Sequence, residues 1–187
     1  MRQQEEGFSN LSSSNMKKIL ETTRLLLREF TLEDAPFVLE LVNTPTWLQF
    51  IGDRGVQNLE DARHFLENGN LKSYAEYGFG FYAVGIKETE TLIGMCGLVK
   101  RDSLDDVDIG FAFLPDAAGK GYGYEIASAT LTYAKETLEL QKVIAIVNPE
   151  NKASIGLIEK LGLVYKKQIL LPPTGKELLL FSIEFNS

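Results

Sequence analysis

The sequence predicts one α/β domain built on a mixed, mainly antiparallel sheet. The predicted elements follow the order strand, two helices, three strands, helix, strand, helix and two strands. A helix lies between the strand near residue 110 and the strand at residues 143–147, as in a crossover connection, whereas the other strands follow one another in hairpins. The length of 187 residues suits one domain. We expect that domain to span residues 21–187.

Composition restricts the classes of function. Residues 1–20 are predicted to be a disordered leader, because Met1–Asn15 is rich in Gln, Glu, Ser and Asn. The net charge of −7 argues against nucleic-acid binding, and no apolar run approaches the ~20 residues of a membrane span. A single cysteine, Cys96, fits a reducing cytoplasm and excludes an internal disulfide. We expect a cytoplasmic monomer or homodimer. No metal is expected, because the sequence has no clustered His/Cys ligands.

The first half of the chain is predicted to carry a strand, two capped helices and the loop between them. A first strand covers Arg24–Phe30, and Thr31 with Asp34 resembles the capping box of a helix. Asn43–Gly55 is predicted to be a loop, and Asn58 caps a second helix that extends to about Tyr77. The remaining elements are strands over Phe81–Lys87, Thr91–Lys100, Val107–Leu114, Val143–Val147, Leu163–Leu171 and Glu177–Phe185, and helices over Glu125–Leu138 and after Asn151.

A glycine loop organises the centre of the sequence. The strand that ends near Leu114 breaks at Pro115-Asp116, and alternate glycines at 119, 121 and 123 lead into a helix. Glycines allow successive backbone N–H groups to point the same way, and a helix N-terminus adds partial positive charge, so the loop suits a diphosphate. The spacing matches neither G-x-G-x-x-G nor the Walker loop. A plain glycine-rich turn that caps the helix is the alternative interpretation.

Two motifs resemble the GNAT N-acetyltransferase superfamily. Gly121 and Gly123 match the glycines of its Q/R-x-x-G-x-G/A loop, and Ala118 replaces the usual Gln or Arg. The segment from Asn151 through Ser154 to Gly162 is similar to the N-x-x-S-x-x-x-x-E-K-x-G-F signature of the ribosomal-protein N-terminal acetyltransferase (RimJ/RimL-like) branch, with Leu for the final Phe. The resemblance covers about residues 22–185.

The resemblance implies a GNAT-like sheet in which two strands splay apart to admit acetyl-CoA. It also implies direct transfer of acetyl from the thioester to a primary amine. The residues expected to bind acetyl-CoA lie on the strand, on the loop and at the following helix: Phe111, Ala112, Phe113, Ala118, Gly119, Lys120, Gly121, Tyr122, Gly123, Tyr124, Asn151 and Ser154.

Two residues are candidates for catalysis. Asp108 could accept the proton of the amine, because a carboxylate in a low-dielectric cleft has a raised pKa; a strand-end acid that only orders solvent is the alternative. In the family branch, the position of Ser154 carries a hydroxyl that assists the departing CoA thiolate; a first-turn helix Ser is the alternative. Asn151 is expected to bond the pantetheine arm or to cap the helix.

The acceptor is less defined than the donor. Trp47 and Phe50 are either core residues or part of a substrate pocket, since both fall in a loop between helices. A protein N-terminal α-amine is the leading acceptor, because its pKa of ~8 lies closer to neutrality than the ~10.4 of lysine. A small-molecule amine (an amino sugar, a polyamine or an antibiotic) and a non-catalytic acyl-CoA-binding module are the alternatives.

Overall fold

An eight-stranded sheet runs through residues 16–185, the part of the chain that the computed structural model describes. The strands are β1 (Lys18–Glu21), β2 (Leu25–Arg28), β3 (Phe81–Ile86), β4 (Leu92–Val99), β5 (Asp108–Phe113), β6 (Lys142–Val147), β7 (Val164–Leu171) and β8 (Lys176–Glu184). The helices are α1 (Ala35–Leu41), α2 (Pro45–Phe50), α3 (Leu59–Leu66), α4 (Lys72–Tyr77), α5 (Tyr122–Glu136) and α6 (Lys152–Lys160). The predicted α/β class with a mixed, mainly antiparallel sheet is confirmed.

The sheet is nearly interrupted between its two central strands. Its order is β1-β2-β3-β4-β5-β6-β8-β7, and every adjacent pair is antiparallel except β5 and β6. Within residues 16–185, the register of this parallel pair joins only Asp108 to Ile144, and the Ile144 N–H donates to the Val107 carbonyl at 3.0 Å. Beyond that point the strands diverge. This is the splayed pair that the family resemblance implies.

Apolar side chains form two cores, one on each face of the sheet. Ile109, Phe111 and Phe113 of β5 pack into the first core together with α5 and α6, whereas Ala112 packs into the second core with α1 and α3. This alternation follows from the two-residue period of a strand. The face of β5 that carries Asp108 therefore lies on the side of α1 to α4.

The amino-terminal boundary of the domain needs a correction. Residues 1–20 were expected to be a disordered leader, but Lys18–Glu21 forms β1 and pairs with β2. Ile19 packs against the first core, and the Glu29 N–H donates to the Lys17 carbonyl at 2.9 Å. Burial of apolar surface and strand pairing thus outweigh the polar character of the preceding segment. The rest of that prediction, over Met1–Asn15, lies outside the described residues.

A second correction concerns the segment predicted to be a loop, Asn43–Gly55. Its middle forms α2, because the Thr44 hydroxyl accepts a hydrogen bond from the Trp47 N–H at 3.4 Å and Pro45 occupies the first helical position. The predicted cap at Asn58 is confirmed, since its Oδ1 accepts from the Asp61 N–H at 2.9 Å. The helix that follows extends to Tyr77 as expected, through a π-helical segment between α3 and α4.

Candidate active site

Two cavities meet where β5 and β6 diverge. The Asp108 cavity has a volume of about 380 Å³, and the glycine-loop cavity has a volume of about 450 Å³. Both are bordered by residues of α2, of β5 and of the start of α6, namely Trp47, Phe50, Ile51, Phe111, Ala112, Asn151 and Ser154. The shared residues make the cavities neighbours that a single extended ligand can occupy.

The glycine loop forms one wall of its cavity. After a short 3₁₀ turn over Pro115–Ala117, Gly119 and Gly121 adopt left-handed backbones with φ of 73° and 78°, and α5 begins at Tyr122. Only glycine adopts this conformation without steric cost. Within the described residues, the N–H groups of 119–124 have no hydrogen-bond acceptor, and the first amide with one is Glu125, which donates to the Gly121 carbonyl at 3.1 Å. Six free amides next to a helix N-terminus make an anion site.

An arginine from the first hairpin supports this loop from outside. Arg24 donates from Nε to Glu125 at 2.7 Å and from Nη1 to the Lys120 carbonyl at 2.9 Å, and its guanidinium lies 4.6 Å from the Tyr122 ring centre. Burial alone would raise the pKa of Glu125, but hydrogen bonds from Thr22 and Arg24 lower it overall. Arg24 was not predicted from the sequence, because no local motif links it to residues about one hundred positions later.

Most of the residues expected to bind acetyl-CoA lie around the glycine-loop cavity. They are Phe111, Ala112, Phe113, Ala118, Gly119, Gly121, Tyr122, Gly123, Tyr124, Asn151 and Ser154. Lys120 does not border the cavity, and its carbonyl is instead the acceptor for Arg24. Lys160 supplies the one cation among the residues that line this cavity, with its Nζ 4.4 Å from the ring centre of Tyr124.

Asp108 lies at the start of β5 and is only 2% exposed. Its Oδ2 accepts a hydrogen bond from Arg101 Nε at 2.5 Å, while no donor among residues 16–185 reaches Oδ1. Burial raises the pKa of Asp108, and the adjacent Arg101 guanidinium opposes that rise only in part. A carboxylate that is buried, raised in pKa and placed on a cavity wall has the properties of a general base.

Ser154 and Asn151 lie together at the N-terminus of α6. Asn151 Oδ1 accepts a hydrogen bond from the Ser154 N–H at 3.2 Å. Asn151 therefore caps the helix, which is one of the two roles expected for it. Its Nδ2 group and the Ser154 hydroxyl make no hydrogen bond to any described residue, and both residues border both cavities. These two polar groups are therefore available to a ligand that passes between the cavities.

The structure places three further cationic side chains around the Asp108 cavity: Arg54, Arg101 and Lys176. No role was predicted from the sequence for any of these three residues. Arg101 could have been found from the β4–β5 pairing, because Val99 is opposite Asp108 and Arg101 follows two residues later. Lys176 donates to the Phe50 carbonyl at 2.8 Å, a contact across 126 positions that no local pattern reveals.

The two aromatic residues Trp47 and Phe50 were expected to be either core residues or part of a substrate pocket. Trp47 is 6% exposed and belongs to the second core, yet it also borders both cavities, as Phe50 does. Cys96 is a core residue: it is fully buried beside Thr130, and burial raises the pKa of its thiol to about 12. His64 is exposed on α3, away from both cavities.

Comparison with known proteins gives the family of the chain. Residues 24–164 match the model of the acetyltransferase (GNAT) domain. The chain is 33% identical over 162 residues to "Uncharacterized N-acetyltransferase YnaD" of Bacillus subtilis (strain 168), which covers 84% of this chain and 90% of that protein. An acetyltransferase structure from Agrobacterium tumefaciens str. C58 superposes with a TM-score of 0.76 at 25% identity and covers 96% of this chain and all of that one.

A more distant structure shares the fold. RimL, a ribosomal L7/L12 alpha-N-protein acetyltransferase solved in complex with coenzyme A, superposes with a TM-score of 0.76 at 16% identity, over 90% of this chain and 98% of that one. Fold and site together define an acetyl-transferring enzyme with a coenzyme A cleft. The chain belongs to the GNAT acetyltransferase family, and it is an N-acetyltransferase that uses acetyl-CoA as its acetyl donor. No helix within the described residues is long and apolar enough to cross a membrane.

Proposed function

We propose that the protein transfers acetyl from acetyl-CoA to an α-amine, with a protein N-terminus as the leading acceptor and the cytoplasm as the place of action. The observation that carries the proposal is the meeting of two cavities at the β5–β6 divergence, one bordered by free loop amides and the other by the buried Asp108. In this arrangement, the loop binds the pyrophosphate of the donor, and the amine approaches the thioester from the Asp108 side.

The chemistry requires an uncharged amine. Its nitrogen forms a bond to the thioester carbon, the carbon–sulfur bond then breaks, and the nitrogen loses a proton. Asp108 accepts that proton, directly or through water, because its raised pKa brings it closer to the range of a useful base. The Ser154 hydroxyl donates a hydrogen bond to the departing thiolate, for which it is free of other partners. Backbone amides near Phe111 are the candidate donors to the tetrahedral oxyanion.

Two considerations favour an α-amine over a lysine side chain. An α-amino group has a pKa near ~8 and is partly neutral at physiological pH, whereas a lysine at ~10.4 needs a stronger base. RimL, which shares the fold, is named for transfer to a protein α-amine. The acceptor side of the cavity is built by α2, whose Trp47 and Phe50 offer an apolar surface beside the polar groups.

The test is a mass-spectrometric screen with acetyl-CoA and three kinds of acceptor. Peptides with a free α-amine are compared with the same peptides blocked at the N-terminus but carrying lysine, and with small amines. We expect acetylation of the free α-amines only. Acetylation confined to lysine or to small amines would contradict the proposed acceptor. Binding of CoA without acetylation of any amine would instead indicate the acyl-CoA-binding module considered above.

A further inference from the structure

The charges around the Asp108 cavity are opposite in sign to the charge of the whole protein. The protein has a net charge of −7, yet the charged residues that border this cavity are three cations (Arg54, Arg101 and Lys176) and one carboxylate (Asp108). A local excess of positive charge in an acidic protein disfavours binding of a polycation and favours an anion. The pattern therefore indicates the chemical class of the molecule that enters the cavity.

Of these three cations, Arg54 has the fewest contacts that balance its charge. Arg101 is paired with Asp108, and Lys176 is directed to the Phe50 carbonyl, whereas Arg54 forms no ion pair with any carboxylate of residues 16–185. Arg54 is exposed at the border of the cavity, which Arg101 also borders. Desolvation by the surrounding chain and, after it, the charge of Arg101 lower the pKa of Arg54. Its guanidinium, which remains protonated, is free to bind a carboxylate or a phosphate through two N–H groups.

We propose that the acceptor is an amine that carries an anionic group, a carboxylate or a phosphate, and that Arg54 binds this group. The inference rests on the proposed function, because it assumes that the acceptor occupies the Asp108 cavity. The anion could be an acidic side chain next to a peptide N-terminus, or the carboxylate or phosphate of a small amine. The same cations lower the pKa of the bound ammonium, which increases the fraction of reactive neutral amine.

The experiment uses acceptor pairs that differ by one anionic group, and KM values are expressed per concentration of neutral amine, because a neighbouring carboxylate also raises the pKa of the α-amine. One pair is a peptide whose N-terminal serine is followed by aspartate, compared with the same peptide containing asparagine. The second pair is serine compared with serinamide. Each acceptor is assayed with the parent protein, with Arg54→Gln and with Arg63→Gln, which removes an equal charge from the exposed face of α3 outside both cavities. The acetyl-CoA KM is measured alongside as a check on the donor site.

We expect the anionic member of a pair to have the lower acceptor KM in the parent. Arg54→Gln should raise that KM about tenfold or more, which corresponds to one charge-assisted contact, and should change the neutral member less than about twofold. Arg63→Gln should behave as the parent. A preference confined to the serine pair identifies a small acceptor, and one confined to the peptide pair identifies an N-terminus; both support the proposal. Equal KM values within both pairs, or an equal effect of Arg54→Gln on both members, would overturn it.

A binding measurement separates this inference from the proposed function. The N-acetylated forms of the same four probes are titrated into CoA-saturated protein by calorimetry, which needs no turnover. Tighter binding of the anionic forms, lost in Arg54→Gln, supports the anion site even if no α-amine is acetylated in the assay. Equal binding of anionic and neutral forms refutes the site even if α-amines are good substrates. Preference for spermidine over all four acceptors also refutes it.

Discussion

The left-handed backbone of Gly121 allows a quantitative test of the glycine loop. Valine at this position would have to adopt φ of 78° and ψ of 5°, a conformation that costs an L-residue roughly 1–2 kcal/mol. An added Cβ would meet Arg24 Nη2 at 3.4 Å, a flexible side-chain end that can move. The main consequence of Gly121→Val is therefore backbone strain and not a clash.

Backbone strain at residue 121 lowers the affinity for CoA only if the loop can relax in the free protein. In the free protein the loop amides have no internal partners, so the loop can relax away from the left-handed conformation. Binding of the pyrophosphate must then restore that conformation, and the Kd for CoA rises by up to the strain energy. Roughly 1–2 kcal/mol corresponds to a factor of about 5–30, and we expect a change of about tenfold or more.

A matched variant separates affinity from stability. Gly78, at the C-terminus of α4, has φ of 77° and ψ of 3°, has open space around its added Cβ, and borders neither cavity. Gly78→Val should lower Tm more than Gly121→Val, because the Gly78 N–H is held by the Tyr74 carbonyl at 3.0 Å and its strain cannot relax, but it should leave the Kd for CoA unchanged in a calorimetric titration. Gly121→Asn should weaken CoA less than valine does, because asparagine adopts left-handed backbones more readily. If folded Gly121→Val binds CoA as tightly as Gly78→Val, the loop does not hold the pyrophosphate.

Four further predictions concern the other polar groups of the site. Ser154→Ala should lower kcat more than acetyl-CoA affinity; a lower Tm with unchanged kcat would mean that the hydroxyl serves only the helix. Asp108→Asn should lower the rate ~10²-fold or more near pH 7 and recover part of it at high pH, where the amine is already neutral; parent-like activity at pH 7 would place the base elsewhere. Arg101 partly opposes the rise in the pKa of Asp108, so Arg101→Met should move the rising limb of the pH–rate profile to higher pH. If the limb does not move, it does not report the titration of Asp108. Arg24→Ala should raise the Kd for CoA about threefold or more through loss of the 2.9 Å bond to the Lys120 carbonyl, whereas an unchanged Kd would show that the loop holds its shape alone.

Local patterns predicted the elements whose causes lie within a few residues. The cap at Asn58 and the glycine loop up to α5 depend on neighbours in sequence, so their positions followed from spacing alone. The strand β1 was not predicted, because its four residues are too few for a clear pattern and become ordered through pairing with β2 and burial of Ile19. The helix α2 carried a signal in Thr44-Pro45, but its six residues are too few to show a helical period.

The residues of the candidate site likewise divide into those that the sequence predicted and those that only the fold reveals. Ser154 stands in a motif and Asp108 near the start of a predicted strand, so the sequence sufficed to propose both, and both border the same cavity in the structure. Arg24, Arg54 and Lys176 act across long separations or from an irregular segment, and their positions depend on the folded chain. Sequence motifs therefore indicate the acetyl donor, while the charges that border the Asp108 cavity emerge only from the tertiary structure.

The single residue pair between β5 and β6 has a thermodynamic consequence. Five strands lie on one side of this junction and three on the other, and within residues 16–185 the sheet register connects them only through Asp108 and Ile144. A ligand that fills the divergence contacts both groups of strands, so its binding free energy adds to the cohesion of the two halves. Amide hydrogens along β6 and the outer part of β5 should exchange faster without acetyl-CoA than with it, and Tm should rise with the logarithm of donor concentration. The cellular supply of acetyl-CoA would then control the lifetime of the folded enzyme as well as its rate.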